Sequence, residues 1–589
     1  MDKTERFEDI FHSVDIGLFI ESPSRLIPYM EHHGFDREEV RCMKAMADSH
    51  PEELSEVIAG DDFERAEAVM ARLSRIPGID RVVSASVLID LRDASNIRLG
   101  RRRPQPEYTL ISIETHDNGS GPASKDMLFT ISSDSEASVN RYSGVDQEVT
   151  VPDAIIVEGK TYSVTRIDDW AFERRTSMES VRLPSSLSSI GDKAFLGCSR
   201  LRSVSIPKNV RSIGKDVFEE CSGLEWFDID RDNRHFATDS QGIIYSKDMS
   251  LLIKAPSGVY GEATTPPGVA RIEDKAFEGC AGLSHVSIGD GVESIGNWAF
   301  SKCRFLRTAV FPDSLDAIGN GAFHECSGLT EASIPGPVKT IGSRAFSGCA
   351  SMRSVSFHEG LRTIEKWAFE KCQSLTEVSI PSTVSSIGDG AFSLCSSLKA
   401  YRVDPRNPWY CSDGGLLYDR RHDALIRAPR GAAGKAGILA GTVSILERAL
   451  EGCAGITEVE IPDSVTTIGR RAFKGCTGLK AVKLPKNLKA IADNLFLECA
   501  SLESVEVPDS VIKIGCGAFE DCPSLEEIRL PRHLKSIGYN AFDQDVKIIR
   551  ERRSPEGHQY PAAFQHRKIF LCAVEPYEVG KRGDAHDPS

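Results

Sequence analysis

Cysteine is the residue type with the most chemistry to offer in this 589-residue chain, which carries 16 of them. Twelve fall in one column, at positions 198, 221, 280, 303, 326, 349, 372, 395, 453, 476, 499 and 522. Each follows a phenylalanine by three residues, except Cys453, which follows Leu450. Thiolates joined by histidine could hold zinc, and close pairs could run redox chemistry. The column contains no C-x-x-C pair and hardly any histidine, so the tetrahedral ligand set zinc prefers does not form. What remains is a small thiol packed at the inner turn of a repeating unit, reduced and unpaired, which suits a reducing compartment. The first and last units carry Arg175 and Asp545 at this position, which reads as the partly wet ends of the array.

Other candidates are weaker. Asp228, Asp230 and Asp232 imitate the start of a calcium loop, but the glycine and the distal glutamate that loop needs are missing, so a polar turn is the reading. His32 and His33 point to different sides of any helix, and neither they nor Cys42 has an acid-base partner at readable spacing. The Arg582-Gly583-Asp584 and Asn118-Gly119-Ser120 triplets are short enough to arise by chance. No nucleophile elbow or phosphate loop occurs, and the Gly-x-Gly triplets at 319–321 and 388–390 belong to the repeat. No catalytic residue, cofactor or metal is expected.

The element that positions the thiols is the repeat itself. The column phenylalanine recurs at 172, 195 and 218, then from 277 to 392, then from 473 to 542, always 23 residues apart within a block. With Leu450 this gives fourteen frames with the pattern C-x-x-L-x-x-V-x-I-P-x-x-V-x-x-I-G-x-x-A-F, legible from Cys372 to Phe392. The V-x-I segment, as at Val204 and Ile206 or Val378 and Ile380, alternates like a short strand with one buried face. Proline at 207, 335, 381, 462 and 485 ends it by removing a donor. Glycine at 214, 296, 319, 342, 388, 469, 515 and 538 is expected to permit a backbone turn, and the phenylalanines to stack. A lone unit cannot bury its apolar side, so stability comes from stacking unit on unit.

The phrase I-P-x-x-V-x-x-I-G-x-x-A-F-x-x-C-x-x-L-x-x-V resembles the BspA-like class of leucine-rich repeats, and the resemblance covers Tyr162 to Phe542. It implies an α/β-type repeat solenoid with one short parallel strand per 23-residue coil, and an adhesion or recognition role. Around it we read 1–100 as mainly helical and of unassigned role, 101–126 as a polar linker, and 127–164 as a β-rich cap. The solenoid then runs over 165–549 and a cap with a loose tail over 550–589. Two insertions that resemble one another, near 227–262 and 401–436, read as β-hairpins elaborating a coil.

On such a solenoid the residues flanking the strand valine face the concave side. Ser203, Ser205, Ser287, Ser333, Ser356 and Ser379 make that column hydroxylic, and Glu460, Lys483, Glu506 and Arg529 make it charged further along. The same serines could equally form a solvated cross-strand ladder. The net charge of −15 repels nucleic acid and anionic membranes, and no apolar run approaches a membrane span. The opening MDKTERFEDI is acidic and shows no secretory pattern, which favours a cytoplasmic setting. The leading expectation is therefore a non-catalytic intracellular scaffold binding a protein or other polymer along the concave face. A secreted or surface adhesin is the alternative, and an enzyme with its site in residues 1–100 a distant third. Oligomeric state is not encoded in any of these patterns.

Overall fold

The computed structural model describes residues 126–550 together with Met30, Met43 and the strand Glu114–Thr115. The helical reading of residues 1–100, the histidine pair, the glycosylation triplet and the tail with its Arg-Gly-Asp triplet lie outside the described residues. The chain divides into two compact units, one reaching Lys247 and including Pro256–Gly258, the other holding Asp248–Ala255 and the residues from Val259 onward.

The first unit opens on a mixed sheet. Met127–Ile131 and Glu136–Tyr142 form an antiparallel hairpin, Glu136–Tyr142 runs parallel to Lys160–Ile167, and Ala154–Val157 pairs antiparallel with it. Lys160–Ile167 then pairs in parallel with Ser189–Ile190, so the sheet hands its ladder directly to the coils.

Each coil contributes two strands. The first is the V-x-I segment: in Ser203–Ile206 the serines are exposed and Val204 and Ile206 buried, and the strand pairs in parallel register with Trp226–Ile229. The second is only two residues long. Arg271–Ile272, Ser294–Ile295, Ala317–Ile318, Thr340–Ile341, Thr363–Ile364 and Ser386–Ile387 pair in sequence, isoleucine on isoleucine. The α/β-type expectation is corrected accordingly. From Met127 onward every named element is a strand, and the return path of each coil is made of turns. A 23-residue coil that already holds two strands and a proline stop leaves too little chain for a helix, which needs about 12 residues to be worth forming.

The turn around the column phenylalanine is unusual. Residues two before and two after it take left-handed backbone conformations even when they are not glycine, as at Trp298 (φ 58°) and Lys302 (φ 62°), or Trp367 (φ 57°) and Lys371 (φ 60°). Such a residue costs roughly 1–2 kcal/mol. The gain is a ladder: the N–H groups of Trp298, Phe300 and Lys302 all donate to the next coil, to the carbonyls of Asn320, Ala322 and His324, each at 2.7 Å. The rings between them stack face to face. Phe323 and Phe346 lie 5.2 Å apart at 4°, and Phe346 and Phe369 5.2 Å apart at 3°.

The consensus glycine does something other than expected. None of the glycines at 214, 296, 319, 342, 388, 469, 515 and 538 has a positive φ. Instead, a Cβ at Gly388 would sit 2.5 Å from the backbone nitrogen of Lys366, and one at Gly296 2.5 Å from that of Asp274. Glycine is required here because successive coils pass too closely for any side chain.

The expectation of partly wet array ends fails at the first frame. Arg175 is buried, its Nε donating to the Glu173 carbonyl at 3.1 Å, and desolvation lowers its pKa to about 10, which still leaves it charged at neutral pH. Beyond Phe172 the stack continues into the opening sheet, where the Tyr142 ring lies 5.6 Å away, tilted by 38°. Asp545 at the other end is exposed.

Each insertion contains a coil of its own that lacks the phenylalanine. Ala255 donates its N–H to the Ala276 carbonyl at 2.8 Å and Ala428 to the Ala449 carbonyl at 2.6 Å, the bond that Phe300 makes to Ala322. Before these coils come antiparallel hairpins, Phe236–Thr238 with Ile244–Ser246 and Tyr410–Asp413 with Leu416–Asp419. One buried asparagine braces each hairpin. Asn233 donates to the carbonyls of Pro207 (3.0 Å) and Val210 (3.1 Å) and accepts from the N–H groups of His235 and Phe236. Asn407 repeats this with Pro381, Val384, Trp409 and Tyr410.

Candidate functional site

The thiol column is the first candidate for chemistry, and its geometry is that of a structural donor. Cys303, Cys326, Cys349 and Cys372 are fully buried. Each donates its S–H to the column carbonyl of the preceding coil, Cys326 to Phe300 at 3.0 Å and Cys349 to Phe323 at 3.3 Å. The Phe300 carbonyl also accepts the N–H of Cys303 at 3.3 Å, so the thiol satisfies its second lone pair. Burial pushes these thiols above the ordinary range, with Cys453 and Cys522 at about 12, so they are neutral and poor nucleophiles. Among the described residues, no group of three or more His, Cys, Asp or Glu is placed to hold a metal ion.

The aspartates of the first insertion are engaged locally. Asp230 accepts the N–H of Asp232 at 2.9 Å, and Asp228 accepts the Ser205 hydroxyl at 3.3 Å. Both are turn and cross-strand contacts.

The second candidate is the solvent side of the V-x-I strands. Ser203, Ser205, Ser333, Ser356, Ser379, Glu460, Lys483, Glu506 and Arg529 are all exposed there, while Ser287 is half-buried. Ser203 and Ser205 belong to the first unit and the others to the second. Register brings Ser333 opposite Ser356 and Lys483 opposite Glu506, the latter pair joined by an ion pair at 3.1 Å. Ser379 faces Arg402, whose guanidinium hydrogen-bonds Glu377 and is thereby held more firmly protonated. Glu460 and Glu458 clasp Lys435 between them, which raises the lysine in the same way. Ser287 is flanked in register by Thr264 and Val310, so it is not adjacent to the other serines.

Several residues of this face were absent from the sequence reading. Trp226 lies opposite Ser203 and is 41% exposed, and Glu331, Ser354 and Glu377 form the column one residue before the valine. Tabulating both flanks of the valine in every frame would have found them. Where the chain enters these strands, Arg304, Phe305, Arg307, Thr330, Ser351 and Arg353 line a groove of about 410 Å³, with Phe305 68% exposed. Its polar rim and single aromatic suit contact with another surface better than capture of a small apolar molecule.

Among the described residues no helix is long and apolar enough to cross a membrane. No curated protein matches the chain. The chain is similar to several solved structures. A leucine rich cell surface protein from Faecalibacterium prausnitzii A2-165 is 24% identical with a TM-score of 0.36, covering 72% of this chain and 95% of its own. A leucine-rich repeat protein from Bacteroides ovatus ATCC 8483 is 24% identical with a TM-score of 0.39, covering 73% and 99%. The pneumococcal vaccine antigen PcpA is 18% identical with a TM-score of 0.32, covering 75% and 89%. The family profile of the BspA type leucine rich repeat region matches in 6 copies over residues 158–240, 261–359, 318–406 and 443–557, more than half of the chain. With its 23-residue coils, double strands and stacked phenylalanines, the chain belongs to the BspA type leucine rich repeat family.

Proposed function

We propose that the chain is a non-catalytic recognition module that binds a protein or other polymer along the exposed side of its V-x-I strands. The observation that carries this reading is the contrast between the two sides of one strand. In Glu331–Ile334, Ser354–Phe357 and Glu377–Ile380 the inward residues are interchangeable apolar side chains, whereas the outward ones are polar groups, the first two strands pairing in parallel register with each other and the third with Ala400–Val403. Strand propensity does not call for serine there, since the residues strands favour are β-branched and aromatic. A rigid row of short hydroxyls lets a partner backbone approach closely, and the flanking charges supply selectivity.

The test is a parallel pull-down from cell lysate and from extracellular-matrix extract. Full-length protein is compared with a Ser333→Arg, Ser356→Arg, Ser379→Arg variant of unchanged melting temperature. A partner held by the parent and lost from the variant supports the reading, and the extract it comes from separates the scaffold setting from the adhesin setting. A variant that keeps every partner overturns the use of this face.

A further inference from the structure

The two asparagine-braced hairpins have the same backbone arrangement and different electrostatics. In the first unit, Asn233 ties the Pro207–Val210 turn to His235 and Phe236. Between those walls is a cavity of about 690 Å³ lined by Lys208, Asn209, Arg211, Asp232, Arg234 and His235. That volume is in the range of small-molecule sites. Three fixed cations converge there against a single carboxylate, in a chain whose net charge is −15. Among the described residues neither Lys208, Arg211 nor Arg234 forms an ion pair.

The second hairpin shows that the cations are not needed to build the turn. Asn407 makes the same four bonds, and the positions matching Lys208, Asn209, Arg211, Arg234 and His235 are Ser382, Thr383, Ser385, Pro408 and Trp409. Its one cation, Arg406 in the place of Asp232, is neutralised by Asp404 at 2.9 Å and Glu359 at 3.3 Å. Bringing like charges together without counter-ions costs stability, and the scaffold demonstrably folds without them.

We propose that the Lys208–Arg211–Arg234 cavity is a binding site for a compact ligand carrying two or more phosphate or sulfate groups. Arginine forks match such oxyanions in bidentate fashion, lysine adds a point charge, and the Asn209 and His235 side chains offer further hydrogen bonds at the rim. Asn233 fixes the backbone of both walls before the ligand arrives, so ordering on binding is confined to the side chains. This site is separate from the strand face and does not depend on what that face binds.

Isothermal titration of the full chain with inorganic tripolyphosphate and, separately, with a disulfated disaccharide tests it. We expect one saturable, salt-sensitive site for at least one probe, and whichever binds identifies the phosphate or the sulfate source. A Lys208→Ser, Arg211→Ser variant, which takes the residues of the second hairpin, should bind about tenfold more weakly or worse. Arg234→Gln provides an independent single substitution, also expected to weaken binding. No saturable binding of either probe, or equal affinity in both folded variants, overturns the assignment.

Discussion

The side-chain nitrogen of Asn407 donates to the carbonyl of Val384 at 2.9 Å and, with its bond to the Pro381 carbonyl at 2.8 Å, anchors a hairpin to the coil before it. The residue is fully buried and all four of its hydrogen-bonding positions are used. Replacing it with alanine strands two carbonyls and two N–H groups. We expect Asn407→Ala to lower unfolding stability by about 2–4 kcal/mol, and Asn407→Asp, which cannot donate, to be similarly damaging. Urea denaturation of the full chain checks this; a midpoint within error of the parent would mean that the brace carries no energy.

Thiol protonation sets an alkaline limit. A folded-state pKa raised above the unfolded value stabilises the fold in full below about 8.5 and is lost as pH climbs through the folded value. For Cys453 and Cys522 that loss runs up to about pH 12. Each such thiol contributes a slope of about 1.4 kcal/mol per pH unit. In the presence of reductant, the urea midpoint should fall steeply between pH 8 and pH 10 (about the onset of this window), and less steeply in a Cys453→Ala, Cys522→Ala variant. A midpoint independent of pH in that range contradicts the buried-donor account.

Thiol reactivity in the native state provides a separate check. Cys516 is the exposed cysteine among the described residues, whereas the column thiols are buried. Native protein should therefore label rapidly at Cys516 and slowly along the column, the twelve column thiols appearing on denaturation. Rapid labelling of Cys326 or Cys349 would show that coils open readily.

Two glycines separate close approach from conformation. A Cβ at Gly388 meets the Lys366 backbone nitrogen at 2.5 Å, while one at Gly437 meets nothing within 4 Å, and neither residue has a positive φ. Gly388→Ala should cost about 2 kcal/mol or more as coils are forced apart. Gly437→Ala should be neutral or stabilise by up to about 1 kcal/mol. Equal effects in a thermal melt would refute the steric role.

The exposed charges should matter little to the fold. Lys483 and Glu506 pair at 3.1 Å, but both side chains are about 70% exposed, so Lys483→Ala is expected to change stability by under about 1 kcal/mol. A larger loss would identify the strand face as structural and weaken its assignment to binding.

Much of this architecture was legible in the sequence because stacking makes identical positions meet. A buried Val204 meets Val181 of the preceding coil and Phe346 meets Phe369 of the next, so one apolar preference is repeated every 23 residues. What escaped notice lacks a residue signature. The second strand is two residues long, below any periodicity. The left-handed positions hold Trp298, Lys302, Arg344 or Asn494 indifferently, because backbone bonds to the next coil impose the conformation. Gly388 was assigned to a turn since close backbone passage cannot be seen in one dimension. The coils at Ala255 and Ala428 were hidden by their missing phenylalanine, and the basic cavity draws its cations from Lys208 to Arg234, across two strands and the turns between them.

The bonds between coils have one further property. Trp298 to Asn320, Arg307 to Ser284 and Cys326 to Phe300 span 22, 23 and 26 residues, and the same spans recur in each block. Each added coil thus closes a loop of nearly constant size, at an entropic cost that does not rise with chain length. Folding can start at any coil and zip outward, and relative contact order falls as the array grows. Duplication of a coil is therefore a kinetically harmless way for such a gene to lengthen, leaving the outward-facing letters free to diverge.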